Sequence, residues 1–302
     1  MKVIFFGTPT FAAEFLQGLI ADPAFEVVGV VTQPDEPVGR KKVLTAPPVK
    51  ELALTHDLPV LQPTKLKDQA FQAQLKELGA ELGVVVAYGR ILPEAVMATF
   101  KHGCVNVHPS LLPKYRGPSP IIAAIAAGDD ETAVTIMKLV QEMDAGPVLA
   151  QTKLAVNPDE TPDSLTIKVV DVGVPLLLAT LKSYVAGDVE PQEQDHAQAT
   201  FCKLLTREDG VINWNEPAEI IEHKVRAYNP WPGTSSKSLK IFRVRASDRK
   251  LEPGIELIES GKLFIGTKTT ALEILEVQAA GGKRMVAADY LRGLRAPTIL
   301  NA

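Results

Sequence analysis

"KVIFFGTPTFAAEFLQGLIADPAFEVVGVVTQ" spans Lys2 to Gln33, and its reading decides the fold class. Two β-branched, continuously apolar runs, KVIFFG (2–7) and VVGVVTQ (27–33), flank a segment in which Phe11, Phe15, Leu16 and Leu19 recur at helical spacing. Strands without polar alternation are buried on both faces, as a parallel sheet covered by helices requires. The same alternation continues. LPVLQ (58–62) reads as a strand, and 64–79 as an amphipathic helix capped by Thr64. LGVVVAYG (82–89) and GCVNVH (103–108) are further strands, separated by a helix that starts from Pro93. A helix over 118–129, strands over 131–139 and 147–156, and a long helix over 161–187, irregular at 173–175, complete the series. Repeated β-α-β units predict a Rossmann-like α/β domain, mostly parallel, with right-handed crossovers.

The pattern stops after Gly187. Residues 189–206 are polar and featureless, as a linker is. One helix (217–228) and short strands at 239–246, 254–261, 262–268 and 271–278 follow. Even spacing of short strands predicts a small OB-like β-barrel. The expected organisation is therefore a catalytic domain at 1–188, a linker at 189–206 and a barrel at 207–302.

The bulk numbers fit an ordinary globular chain: 46% of residues are hydrophobic and 23% charged. No apolar run is expected to approach the ~20 residues of a membrane span, and MKVIFFGTP lacks the layout of a signal peptide. Cys104 and Cys202 are far apart with no C-x-x-C, which fits a reducing cytoplasm rather than a disulfide framework or a cysteine zinc site. Net charge is −4, unevenly spread: 24 acidic against 17 basic residues up to Leu204, then 12 against 15. A mildly basic second domain fits a polyanionic partner.

The turn after the first strand, GTPTFA (7–12), has Pro9 where a dinucleotide fingerprint needs its second glycine. Neither a P-loop nor a G-x-S-x-G elbow occurs in the chain. The chemistry gathers in VNVHPSLLPKYRG (105–117). Asn106 and His108 stand two apart on a strand and so share a face, and ligands of open α/β sheets bind beyond the carboxyl ends of strands. Asp144 lies in a turn closed by Ala-Gly-Pro between two further strands. Histidine accepts a proton near neutral pH, aspartate stabilises the protonated ring, and an asparagine amide donates to a developing oxyanion. The set contains no good nucleophile and no third metal ligand. It suits direct transfer of an acyl group to an amine through a tetrahedral intermediate.

The chain resembles the methionyl-tRNA formyltransferases. The matching motifs are GTPxFA (7–12), QPDxPxGR (33–40), APPVK (46–50), VVVAYGRILP (84–93), NVHPSLLPKYRGPSPI (106–121), MDAGPVL (143–149) and YNPWPG (228–233). The resemblance covers nearly the whole chain. It implies that formyl passes from 10-formyltetrahydrofolate, without a metal, to the α-amine of initiator methionyl-tRNA. It makes Asn106, His108 and Asp144 catalytic: Asn106 would hold the formyl oxygen, His108 would take the amine proton or donate to that oxygen, and Asp144 would set the state of His108. Ser110, Leu111, Leu112 and Pro113 would line the folate pocket. Tyr88, Gly89, Arg90, Ile91 and Leu92 would offer backbone groups to the pterin.

For the RNA, Arg40, Lys41 and Lys42 put three adjacent cations in a Gly/Pro-rich loop that leaves the same strand end as the site. Lys41 replaces the glycine usual in the family. Arg243 and Arg245, two apart, would share a face of a strand in the second domain. A formyltransferase acting on a nucleotide-linked amino sugar is the alternative; it would lack the insertion at 36–50. A tRNA-binding module with a decayed site is argued against by the intact triad. A monomer, free of membranes, is expected.

Overall fold

The computed structural model describes residues 1–39 and 41–294. They fall into two compact units: 1–120 with 132–154 and 166–202, and 121–131 with 155–165 and the segment from Lys203 onward. Segments 121–131 and 155–165 group with the second unit, and residues 189–202 of the expected linker group with the first.

In chain order the first half holds β1 (Lys2–Gly7), α1 (Thr10–Ala21), β2 (Glu26–Val31), β3 (Glu36–Val38), β4 (Val43–Thr45), α2 (Pro48–Thr55), β5 (Val60–Leu61) and α3 (Gln69–Glu77). There follow β6 (Leu82–Val86), α4 (Glu94–Met97), β7 (Cys104–His108), α5 (Pro120–Ala127), β8 (Glu131–Lys138), β9 (Val148–Ala155) and α6 (Pro162–Ala186). Seven strands form one sheet in the order β5-β2-β1-β6-β7-β8-β9. The pairs from β5 to β7 are parallel, and β8 runs antiparallel to β7. The apolar runs are strands buried on both faces: Val3 through Phe6 are fully buried, as are Val30 and Val31.

Three readings of the sequence need correction. The helix expected from Thr64 starts at Gln69, capped by Asp68, whose side chain accepts from the Ala70 N–H. The Gly/Pro-rich loop after β2 is instead a β3–β4 hairpin with Pro37 opposite Leu44. One helix, α6, is by length and composition apolar enough to cross a membrane. Its Val169, Leu177 and Leu181 are fully buried, however, and it meets α1 closely: a Cβ on Gly173 would stand 2.8 Å from Phe15. Its apolar stripe is the lining of a helix-covered sheet.

The second unit holds α7 (Ala218–Ala227), β10 (Thr234–Ser236), β11 (Leu239–Ala246), β12 (Glu256–Glu259), β13 (Lys262–Gly266), β14 (Ala271–Ala279), β15 (Met285–Val286) and α8 (Ala287–Gly293). Its antiparallel strands pair in the order β10-β11-β14-β13-β12, with β15 also on β14. Among the described residues no pairing joins β10 to β12, so the sheet is not closed by hydrogen bonds. Ile221 and Val225 of α7 pack with Ile241, Val244, Leu272, Ile274 and Val277. Ala227 joins Ile125, Val156 and Leu165 in a second small cluster.

Candidate active site

The carboxyl ends of β1, β6 and β7 leave the sheet side by side, and β7 carries the first two site residues. Asn106 pairs with Met137 and His108 with Thr135 across β8. Both are interior side chains, 8% and 4% exposed.

His108 is fixed by backbone. Its Nε2 lies 2.9 Å from the Tyr115 carbonyl oxygen. A carbonyl only accepts, so Nε2 carries the proton and Nδ1 keeps its lone pair. Nδ1 stands 3.7 Å from Asp144 Oδ2. That gap is too long for a hydrogen bond, yet short enough for the carboxylate to favour a proton arriving on Nδ1. Burial lowers the His108 pKa, opposed by the Asp144 charge and by the Tyr115 carbonyl. The resting ring is thus a neutral base with a counter-anion in place.

Asp144 reaches this position from a residue with φ +51°, a region non-glycine residues rarely adopt. Its Oδ2 accepts from the Gly117 N–H at 2.7 Å. Two glycines make the approach possible. Gly117 has φ +118°, and a Cβ there would stand 2.2 Å from the Cys202 carbonyl oxygen; on Gly146 it would stand 1.8 Å from that of Lys138.

Asn106 has no side-chain hydrogen-bond partner among the described residues. Buried amides are nearly always satisfied, and this one, 8% exposed, is open to a partner outside the chain. Among the described residues, no three His, Cys, Asp or Glu side chains gather as a metal site would need.

The loop after His108 is tied down from below. The Ser110 hydroxyl donates to the Lys114 carbonyl at 2.6 Å, and its own carbonyl accepts from the Thr135 hydroxyl at 2.7 Å. The Gln151 amide donates to the Leu112 carbonyl. Ser110 is fully buried and its hydroxyl is spent on the loop, so it shapes the wall rather than offering a polar contact. Leu112 is 5% exposed; Leu111 and Pro113 are half-buried. Past β6, the Tyr88 and Leu92 side chains belong to the core. The Tyr88 carbonyl already accepts from Thr8 and Gln33, and the Arg90 guanidinium donates to the carbonyls of Pro63 and Thr64. Among the described residues, the backbone N–H groups of Gly89, Arg90, Ile91 and Leu92 meet no protein acceptor. The segment therefore offers backbone donors, while its side chains are spent elsewhere or, for Ile91, exposed.

Comparison with known proteins places the chain in a family. A family profile described as "Formyl transferase" matches residues 1–181, and one described as "Formyl transferase, C-terminal domain" matches residues 204–295. The chain is 48% identical over 302 residues to the methionyl-tRNA formyltransferase of Roseiflexus castenholzii, covering 98% of this chain and 96% of that one. It is 44% identical to that of Chloroflexus aurantiacus, covering 99% of each. The chain belongs to the methionyl-tRNA formyltransferase family. It is a formyl-transferring enzyme. Solved structures with low identity share its fold. An N-formyltransferase from Helicobacter canadensis, in complex with folinic acid and dTDP-3-aminofucose, superposes with a TM-score of 0.67 at 16% identity, covering 94% of this chain and all of that one. HypX from Aquifex aeolicus, with tetrahydrofolic acid, gives 0.61 at 20% identity, over 96% of this chain and 47% of that one.

Within this formyltransferase several contributors gave no signal in the sequence. The Tyr115 carbonyl and the Gly117 N–H act as backbone, which no residue type announces. Thr135 and Gln151 are single polar residues with no motif around them. Among the expected RNA contacts, Arg40 lies outside the described residues. Lys41 and Lys42 are exposed at the hairpin tip, beside the exposed Val43 and Leu44, with no acidic partner among the described residues. Arg243 and Arg245 are exposed on either side of buried Val244. Arg245 donates to Glu273 at 2.7 Å, and the charge of Arg243 helps lower the pKa of Glu276.

Proposed function

We propose that this formyltransferase moves the formyl group of 10-formyltetrahydrofolate to the α-amine of initiator methionyl-tRNA, giving N-formylmethionyl-tRNA for translation initiation. One observation carries the chemistry: a neutral His108 Nδ1 faces the Asp144 carboxylate at 3.7 Å, on the same strand face as an unpartnered Asn106 amide. The acceptor follows from relatives of that name at 44–48% identity over the full chain.

The folate supplies the activated one-carbon unit; the chain supplies the rest. Backbone donors of Gly89 through Leu92 suit the polar edge of a pterin, and Leu111, Leu112 and Pro113 an apolar wall. The Asn106 amide donates to the formyl oxygen as the amine adds and charge develops there. Nδ1 of His108 accepts the proton that the amine sheds. The ring is held by its Nε2–H bond to Tyr115, and its new charge is balanced by Asp144. The proton then passes to the departing folate nitrogen, which returns Nδ1 to its starting state. The Lys41 and Lys42 tip, with Arg40, contacts phosphates, and Arg243 and Arg245 of the second unit contact others. The enzyme acts as a cytoplasmic monomer without a metal.

The test uses purified full-length chain, 10-formyltetrahydrofolate, and three acceptors: charged initiator tRNA, charged elongator tRNA, and a nucleotide-linked amino sugar. Formyl is expected on the initiator amine. Transfer to the sugar alone would reassign the acceptor while keeping the donor chemistry.

A further inference from the structure

Two residues of the site are held in the left-handed region: Tyr115, whose carbonyl fixes His108, at φ +59°, and Asp144 itself at φ +51°. Conformations of that kind persist only where the surroundings over-determine them. A single segment, 192–202, grips both. At one end, Gln192 pairs antiparallel with Val148, just past the Asp144 turn. At the other, the Thr200 hydroxyl accepts from the Tyr115 N–H at 2.9 Å, and the Thr200 carbonyl accepts from the Arg116 N–H at 2.9 Å. Between them sits Gln194, 7% exposed.

All of the Gln194 amide is used. Its Nε2 donates to the Asp144 carbonyl at 2.9 Å and to the Gly146 carbonyl at 2.7 Å. Its Oε1 accepts from Arg116 Nε at 3.2 Å and Nη2 at 2.8 Å. Arg116 is 1% exposed, and among the described residues its guanidinium also meets His196 Nδ1 at 3.1 Å and the largely exposed Glu142 at 3.6 Å. A buried guanidinium must have its donors satisfied, so it anchors the amide in one orientation. An amide held by its oxygen then presents its NH₂ to the two carbonyls of the Asp144 turn. Nothing in the sequence marks this residue, since the stretch reads as a linker.

We propose that Gln194 is a positioning residue for formyl transfer: anchored by Arg116, it sets the Asp144 turn so that the carboxylate stands opposite His108 Nδ1. The proposal rests on the catalytic roles given above. It concerns the two carbonyl contacts, and Gln194→Glu separates these from the anchor, because a carboxylate still accepts from Arg116 but has no NH₂ for the turn.

The experiment compares the full-length chain with Gln194→Glu and Gln194→Leu. It measures kcat and KM for both substrates, the pH profile of kcat, the thermal midpoint, and the titration of the His108 ring by nitrogen NMR. Both variants are expected to lose about 10- to 100-fold in kcat, the scale of a displaced catalytic group, with KM unchanged. In Gln194→Leu the His108 titration and the acid limb of kcat should move to lower pH, because the nearby anion that favours the charged ring has shifted; in Gln194→Glu the added carboxylate, paired with Arg116, offsets part of that shift. Gln194→Glu is expected to fold, its carboxylate pairing with Arg116, so the result survives if Gln194→Leu does not. A Gln194→Glu enzyme with parental kcat and parental His108 titration overturns the proposal. So does a lowered thermal midpoint with both of those unchanged, which is a structural role alone. If the parent itself transfers no formyl group, the functional reading fails, and the NMR comparison still decides whether Gln194 sets the Asp144–His108 pair.

Discussion

β7 and β11 carry the same short pattern, two polar side chains two residues apart, and use it in opposite ways. On β7, Asn106 and His108 are 8% and 4% exposed, and the strand lies between two others. On β11, Arg243 and Arg245 are exposed around buried Val244. Strand parity says only that two residues share a face; whether that face meets core or water depends on what covers the sheet. Depth then sets the chemistry. An interior imidazole has a shifted pKa and a fixed tautomer. A surface guanidinium faces water, salt and the nearest carboxylate. Substitutions at the two strands should therefore differ by orders of magnitude, and in different kinetic constants.

The largest effect is expected on β7. His108→Ala removes a positioned base and should lower kcat by about 10²–10⁴-fold. Asn106→Ala removes the donor to the developing oxyanion, at about 10²–10³-fold. Single-turnover transfer with saturating substrates measures both, alongside the thermal midpoint. Losses under tenfold in a folded protein would place the chemistry elsewhere than this strand.

Next comes the pH dependence, which only the interior pair should show. The His108 pKa is lowered mainly by burial, and the Asp144 charge works against that lowering. The acid limb of kcat should then lie below the ordinary histidine value of about 6.5. Asp144→Asn removes the opposing charge, so that acid limb moves further down while kcat falls. Stability follows the same sign. On acidification the unfolded chain binds the His108 proton first, so stability is lost as pH falls from the ordinary value through the lowered folded one. Urea unfolding across that window should show the slope in the parent and a weaker one in His108→Gln.

The difference between the strands also explains what could be read from sequence. The sheet was legible because Val3–Phe6 and Val30–Val31 are apolar without alternation, and burial on both faces permits nothing else. The candidate triad was legible because Asn106, His108 and Asp144 have side chains of distinctive chemistry. The groups that aim them were not. The Tyr115 carbonyl, the Gly117 N–H and the Gln194 amide act through hydrogen bonds across separations of 7, 27 and 50 residues. No local pattern encodes such pairings. The β3–β4 hairpin was missed because Pro37 and Gly39 read as a loop, although an edge strand tolerates proline.

Smaller effects belong to the surface. Lys41 and Lys42 meet no acidic side chain among the described residues, so their charge is free for phosphate. Lys41→Ala with Lys42→Ala should raise the KM for tRNA, leave the KM for folate alone, and flatten the salt dependence by about one unit of log–log slope per lost phosphate contact. Parental tRNA kinetics at three salt concentrations would take the hairpin tip out of the interface.

The smallest effect is expected on β11, and there the two arginines should differ. Arg245 already donates to Glu273 at 2.7 Å, and Lys262 stands 3.5 Å from the same carboxylate. A phosphate must compete with that carboxylate, so Arg245 has less to give. Arg243 has a looser hold, acting on Glu276 at a distance while Arg284 makes the hydrogen bonds. Arg243→Ala should therefore raise the KM for tRNA more than Arg245→Ala, with kcat unchanged in both. Glu273→Gln should sharpen the contrast by freeing Arg245 and strengthening tRNA binding at low salt. Equal effects of the two arginine substitutions, unmoved by Glu273→Gln, would show that ion pairing on this strand does not set its affinity for RNA.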